Sequence, residues 1–273
     1  LKSLFVPLSY LLVSVSLVAC GGSDNTASTA PYYQPSVGTS WQIQLTGTLN
    51  TDYAVAVYDV DLFDTEVSQI SALQRAGKKV ICYFSAGSFE DWREDAGQFT
   101  ESDYANSLDG WEGEYWLNIT SDNVRNIMLS RIALAQEKGC DGVDPDNVDG
   151  YQNDTGLDLT YSQQLEYNRF LADSAHGLGL AVGLKNDLGQ IADLVDSFDF
   201  AVNEECFSYS ECELLSPFIE QNKPVFHIEY DDVYVSDDSE LEGICTSANE
   251  MGFSTLIMPL DLDDTFRISC QEQ

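Results

Sequence analysis

The chain has 273 residues, with 46 Asp and Glu against 12 Lys and Arg, a formal charge of −34. So negative a molecule repels phosphate backbones, which excludes a nucleic-acid binder. The charge fits two other readings, solubility in a salty extracellular habitat or attraction of a cationic substrate, and by itself chooses neither.

At the amino end Lys2 precedes an apolar stretch from Leu4 to Val18, which leads into Ala19-Cys20. A small residue before cysteine resembles a bacterial lipobox. The expectation is a lipoprotein signal peptide over 1–19, with Cys20 as the lipid-bearing residue. Pro7, Ser9, Ser14 and Ser16 interrupt the run, which is short for a membrane span. Residues 20–39 are mostly small and polar, as in a flexible, lipid-anchored linker. The protein is therefore expected to be exported to the cell envelope, at the outer membrane or cell surface, touching the membrane only through Cys20. Residues 40–273 remain for one folded domain, expected to be a monomer.

From residue 40 two periodicities alternate. Apolar or β-branched runs at 41–45, 55–62, 79–85, 142–146, 180–185, 198–203, 224–230 and 255–260 predict buried strands. Helical spacing predicts helices over 65–75, 121–138, 161–176 and 236–251, with Gly77, Gly139, Gly177 and Gly252 at their carboxyl ends. Alternation with continuously apolar strands implies a parallel sheet covered on both faces. Eight such strands predict a single-domain (β/α)8 TIM barrel. The rival open doubly wound sheet lacks a GxGxxG after its first strand. A barrel gathers function at the carboxyl ends of its strands.

Those ends are rich in polar groups: Asp59 and Asp61; Tyr83 and Ser85; Asp144, Asp146 and Asn147; Lys185 and Asn186; Glu204 and Glu205; Glu229 and Tyr230; Asp261. Asp64, Asp122 and Asp187 read more simply as helix caps. His227 reads as a satisfied strand residue. Capping does not explain so many polar groups ending apolar strands.

Five blocks carry a resemblance: Trp41-Gln42-Ile43-Gln44-Leu45, Tyr58-Asp59-Val60-Asp61, Val80 to Gly87, Gly142 to Asp149, and Asn203-Glu204-Glu205-Cys206. Together, over about residues 40–262, they resemble glycoside hydrolase family 114, with the Asp-Pro-Asp-Asn block the most specific part. The resemblance implies a glycoside hydrolase catalytic domain over 40–273, with endo-α-1,4-polygalactosaminidase activity on a (β/α)8 barrel. It implies Asp146 and Glu204 as the catalytic carboxyls. The strand period is compatible, placing Asp144 with Asp146 on one face and Val202 with Glu204 on another.

Glycoside cleavage needs one carboxyl to protonate the leaving oxygen and a second, ionised, to attack carbon or activate water. Asp146 is assigned as nucleophile and Glu204 as acid/base, with retention of configuration. Substrate contacts are expected from Asp61, Tyr83, Asp144, Asn147, Lys185, Asn186, Glu205 and Tyr230. Trp111 and Trp116, in the long segment between the third strand and the next helix, would stack on sugars. Asp61 would meet a substrate amine. Partly deacetylated galactosamine polymer is a polycation, which favours the substrate reading of the charge.

Six cysteines follow Cys20, an even number suited to disulfides in an exported protein. Their pairing is open, although Cys206 and Cys212 are close enough to staple one loop and Cys245 is within reach of Cys270. With two histidines and no CxxC pair, neither a metal nor a cofactor is expected. Two rival functions share the barrel: a Schiff-base lyase using Lys185, and a non-catalytic glycan-binding lipoprotein.

Overall fold

The computed structural model describes residues 32–272. The signal peptide, the lipidation residue Cys20 and most of the linker lie outside the described residues. Residues 32–39, assigned to the linker, instead pack on the barrel: Tyr32 stacks on His176 at 4.3 Å, and Lys79 lies over the Tyr33 ring.

In chain order the elements are β1 (Trp41–Gln44), β2 (Val57–Asp61), α1 (Val67–Arg75), β3 (Lys79–Ser85), β4 (Ser88–Glu90), β5 (Tyr104–Ser107), β6 (Glu114–Leu117), α2 (Asp122–Lys138), β7 (Gly142–Asp146), α3 (Tyr161–Gly177), β8 (Ala181–Lys185), α4 (Ile191–Leu194) and β9 (Phe200–Glu204). They continue with α5 (Ser216–Glu220), β10 (Val225–Glu229), α6 (Val233–Ser236), α7 (Asp238–Met251), β11 (Ser254–Ile257) and β12 (Ile268–Ser269). Strands β1, β2, β3, β7, β8, β9, β10 and β11 pair in that order, all parallel, and β12 adds antiparallel to β11. The sheet curls until β1 meets β11: Trp41 Nε1 donates to the Ser254 carbonyl at 2.7 Å, and Leu45 N to the Leu262 carbonyl at 3.0 Å. The fold is a single-domain (β/α)8 barrel.

Alternation along each strand divides the core. Ile43, Val57, Ile81, Phe200, Val202, Phe226 and Ile228 fill the barrel interior, while Tyr58, Val80, Cys82, Phe84, Val143 and Leu184 face the helices. Gly183 makes room inside, since a methyl there would run into the Phe200 ring. Burial on both faces explains why these strands read as unbroken apolar runs.

The helices depart in detail from expectation. No helix follows β1, α4 and α5 are single short turns, and the predicted 236–251 helix starts two residues late, at Asp238, capped by Asp237 and preceded by the short α6. Neither Asp64 nor Asp122 is a cap residue: Glu66 caps α1 and Ser121 caps α2 through its hydroxyl. Gly139 and Gly252 end α2 and α7 in the left-handed conformation, whereas Gly177 stays inside α3 and Gly179 makes the turn. Disulfides join Cys82 to Cys140, Cys206 to Cys212 and Cys245 to Cys270. The first ties β3 to the turn before β7, and the second closes the turn after β9.

Candidate active site

Three neighbouring strands end in the same way. Asp146 closes β7, Lys185 closes β8 and Glu204 closes β9. The residue after each has left-handed backbone: Asn147 at φ 60°, Asn186 at 50° and Glu205 at 60°. Each strand is thereby broken just past the side chain it delivers. Asparagine tolerates this region, whereas Glu205 does so at a cost of about 1 kcal/mol. Beside them, Ala86 N and Gly87 N both donate to the Asp146 carbonyl, at 2.8 and 3.0 Å. A methyl on Gly87 would collide with the backbone carbonyl of Asn147. Gly87→Ala is therefore expected to displace the end of β7, lowering stability by about 1–3 kcal/mol and kcat/KM by about tenfold or more. Thermal melting and initial rates check this, and wild-type values for both would contradict it.

The three side chains meet. Lys185 Nζ lies 3.5 Å from Asp146 Oδ1 and 3.8 Å from Glu204 Oε2, with Asp144 Oδ2 also at 3.8 Å. Laid end to end, the first two distances keep those carboxylate oxygens within about 7.3 Å of each other, no farther apart than the widest glycosidase pairs. The ammonium is 2 % exposed. Burial would favour its neutral form, but Asp146, Glu204, Asp144 and Asp59 outweigh that and hold it charged. It also lies 5.3 Å from the centroid of the Tyr83 ring.

Hydrogen bonds fix each carboxylate. Asp146 accepts from the Tyr83 hydroxyl at 2.9 Å and from Asn147 N at 2.7 Å. Glu204 accepts from the Tyr230 hydroxyl and from Asn186 Nδ2. Asn186 is itself locked, because its Oδ1 accepts from Glu204 N and Asn203 Nδ2. Burial and the adjacent carboxylates push both phenols above the ordinary tyrosine range, so they remain donors.

A cavity of about 430 Å³ opens above this centre. Its lining includes nine of the expected residues: Asp146, Glu204, Tyr83, Asn147, Lys185, Asn186, Tyr230, Trp111 and Trp116. Trp111 is half exposed and Trp116 nearly buried. Both sit in the 88–118 segment, which folds as a three-stranded antiparallel sheet in the order β4-β6-β5 rather than as an open loop.

Three expected contact residues lie elsewhere. Asp61 is not part of the cavity lining: Arg93 grips its two oxygens at 3.1 and 2.8 Å, and Phe63 N and Asp64 N donate to Oδ1. Its partner comes from 32 positions away, and no local spacing announces it. Asp144 is fully buried in the barrel beneath Lys185, one pleat below Asp146. Glu205, thrown outward by its left-handed backbone, lines an adjoining groove with Asp187 and Glu211. Asp187 does stand at the cap position of the short 3-10 turn 188–190, but its side chain makes no capping bond there: it is buried and accepts from Asn168 Nδ2 at 2.8 Å.

The sequence reading also passed over residues the structure brings in. Asp59 is fully buried inside the barrel beside Asp144, and among the described residues none of their four carboxylate oxygens has a partner at hydrogen-bond distance. Glu114, Asp149 and Tyr209 line the cavity. Asp59 was noted among the polar strand ends but assigned no role, because its depth within the barrel is not written in the linear sequence.

Several of these acids hold protons unusually tightly. Burial is the first cause for each, raising Asp144 and Glu114 to about 7, Asp187 to about 8 and Asp149 to about 6, with neighbouring carboxylates adding to the effect. Each binds its proton more strongly folded than unfolded. The stabilisation is therefore complete below about pH 4, the unfolded value, and is lost as pH rises through 6 to 8. The melting temperature should fall steadily from pH 5 to pH 8.5, and Asp187→Asn should flatten that slope. A melting temperature that rises over the interval would contradict the assignment.

The side-chain donor atoms of Cys206, Cys212 and His227 lie within 4.8 Å of one another, a cluster invisible in the linear spacing. The two sulfurs are bonded to each other, so neither is a thiolate. His227 is instead satisfied by Thr255 Oγ1 at 3.0 Å and Glu229 Oε1 at 3.1 Å.

A search of curated proteins finds no match. Among solved structures, the Aspergillus fumigatus Ega3 complex with galactosamine is 47% identical, covering 88% of this chain and 98% of that one at a TM-score of 0.84. The glycoside hydrolase domain of PelA from Pseudomonas aeruginosa shares the fold at 14% identity, covering 84% and 98% at a TM-score of 0.67. The sequence also matches the profile of glycoside-hydrolase family GH114 over residues 22–273. With that match spanning the barrel and every strand end described above, the chain belongs to glycoside-hydrolase family GH114 and is a glycoside hydrolase.

Proposed function

We propose that the enzyme is an endo-acting hydrolase of α-1,4-linked galactosamine and N-acetylgalactosamine exopolysaccharide, working through Asp146 and Glu204. The observation that carries this reading is the convergence of those two carboxylates on the Lys185 ammonium at the floor of one open cavity. The similarity to a protein crystallised with galactosamine supports the sugar.

Asp146, oriented by Tyr83 and Asn147, attacks the anomeric carbon. Glu204, oriented by Tyr230 and Asn186, protonates the departing oxygen and then activates water, so configuration is retained. Trp111 and Tyr209, both well exposed at the rim, offer faces for sugar stacking. The Schiff-base alternative fares poorly, because it needs a free amine and Lys185 is held as an ammonium. Three disulfides suit an exported protein, and attachment through Cys20 at the cell envelope completes the proposal. Digestion of defined galactosamine oligomers, followed by mass spectrometry and NMR of the products, tests it. Internal cleavage giving α-anomeric products is expected; intact oligomers, or β-anomers released first, would overturn the hydrolysis or the retention respectively.

A further inference from the structure

Glu114 enters the cavity from outside the barrel. It begins β6, on the sheet that covers one side of the mouth, and is only 8% exposed. Ser88 Oγ donates to its Oε2 at 2.7 Å, which fixes the carboxylate plane. Ser88 Oγ also lies 2.6 Å from Ser85 Oγ, and Asn147 Nδ2 donates to both hydroxyls. The other oxygen, Oε1, has no hydrogen-bond partner among the described residues, and it is absent from the atoms sealed away from solvent.

Among the described residues no cationic nitrogen pairs with this carboxylate within 4 Å, and Arg93 acts on it only from farther away. Lys185 is shared among Asp144, Asp146 and Glu204. Arg93 is committed to Asp61 and Glu90, and Arg131 to Glu90 and Asp95. The acids nearest in electrostatic terms, Glu90 and Asp146, repel it, and together with burial they raise its affinity for a proton. A nearly buried carboxylate with one free oxygen and no directly paired cation is a poor structural element and a good receptor for one. Trp111, Trp116 and Leu108 line the same cavity, providing apolar faces on which a sugar ring can rest.

We propose that Glu114 is a specificity-determining residue whose free oxygen receives the 2-ammonium group of a deacetylated hexosamine unit, selecting it over the acetylated unit at that position. The proposal rests on the galactosamine-polymer reading above and names which form of the sugar the cavity prefers. An acetamido group brings no positive charge, so in its place Glu114 would stay uncompensated or keep its proton. A charge-assisted hydrogen bond of this kind is worth about tenfold or more in selectivity.

The experiment compares kcat/KM for fully deacetylated and fully N-acetylated oligomers of equal length, in wild type, Glu114→Gln and Ser88→Ala. Wild type should favour the deacetylated oligomer. Glu114→Gln should lose at least about tenfold of that preference, almost entirely through the deacetylated substrate, with a KM rise and little change in kcat. Ser88→Ala keeps the charge but frees the carboxylate, so an intermediate loss is expected, which serves should Glu114→Gln fold poorly. An unchanged ratio, or equal losses on both substrates, would overturn the proposal. Calorimetric titration with galactosamine and N-acetylgalactosamine separates it from the hydrolase reading. Should wild type cleave neither polymer, an amine preference in binding that Glu114→Gln abolishes still upholds the role, and its absence ends it.

Discussion

Asp146→Asn and Glu204→Gln should each cost at least about a thousandfold in kcat while leaving the melting temperature at or above the wild-type value. On the proposed mechanism, loss of activity follows because each removes one carboxyl of the pair. Preservation of the fold follows from the hydrogen bonds. An amide at 146 can still accept from Asn147 N on one side and donate to the Tyr83 oxygen on the other. At 204 the amide oxygen can take the Asn186 donor while the Tyr230 phenol turns to accept. Each change also removes one negative charge from a site where four carboxyls surround a single ammonium, a relief that offsets the lost attraction to Lys185. The same variants distinguish an enzyme from a glycan-binding lipoprotein, since a binder gives no products with or without them. Either variant retaining more than a few per cent of wild-type turnover would remove that residue from the chemistry.

Lys185→Met should have the largest effect on stability. It removes the one cation that, among the described residues, lies within 4 Å of Asp144, Asp146 and Glu204, and leaves a fully buried pair, Asp59 and Asp144, without compensation. Breaking a buried ion cluster by deleting one partner costs about 3–5 kcal/mol, a fall of roughly 10 °C for a domain of this size. The deficit should be worst at high pH, where Asp144 must ionise, and Lys185→Met with Asp144→Asn should recover part of it. Melting curves of the three proteins at pH 5.5 and 8 test the pattern. A single variant as stable as wild type at pH 8 would show that the ammonium contributes nothing to the folded core.

The barrel was legible because both faces of its parallel strands are buried, which writes each strand as a continuous apolar run between turns. The candidate site was legible where a strand ends on a side chain that lines the cavity, as with Asp146, Lys185 and Glu204. It failed where a distant residue decides: nothing near Asp61 shows that Arg93 will occupy it, and nothing near Cys82 points to Cys140 across 58 residues. The short strands β4, β5 and β6 were missed because three or four residues of mixed polarity carry no clear period. Glu114 was hidden with them. Helix caps were misplaced by one or two residues because Ser121 and Glu66 sit beside the acidic residues that looked better suited.

The ionic net under the β4-β6-β5 sheet bears on how this enzyme can be re-engineered. Arg93 and Glu90 belong to the 88–118 segment, yet their partners Asp61 and Arg131 belong to the barrel wall. A graft that exchanged the segment for a relative's, to redirect which polymer is accepted, would strand Asp61 and Arg131 in a dry interior. Asp61, Glu90, Arg93, Asp95 and Arg131 are accordingly one transplantable unit, and swaps drawn at the visible loop boundaries should yield insoluble protein until all five travel together.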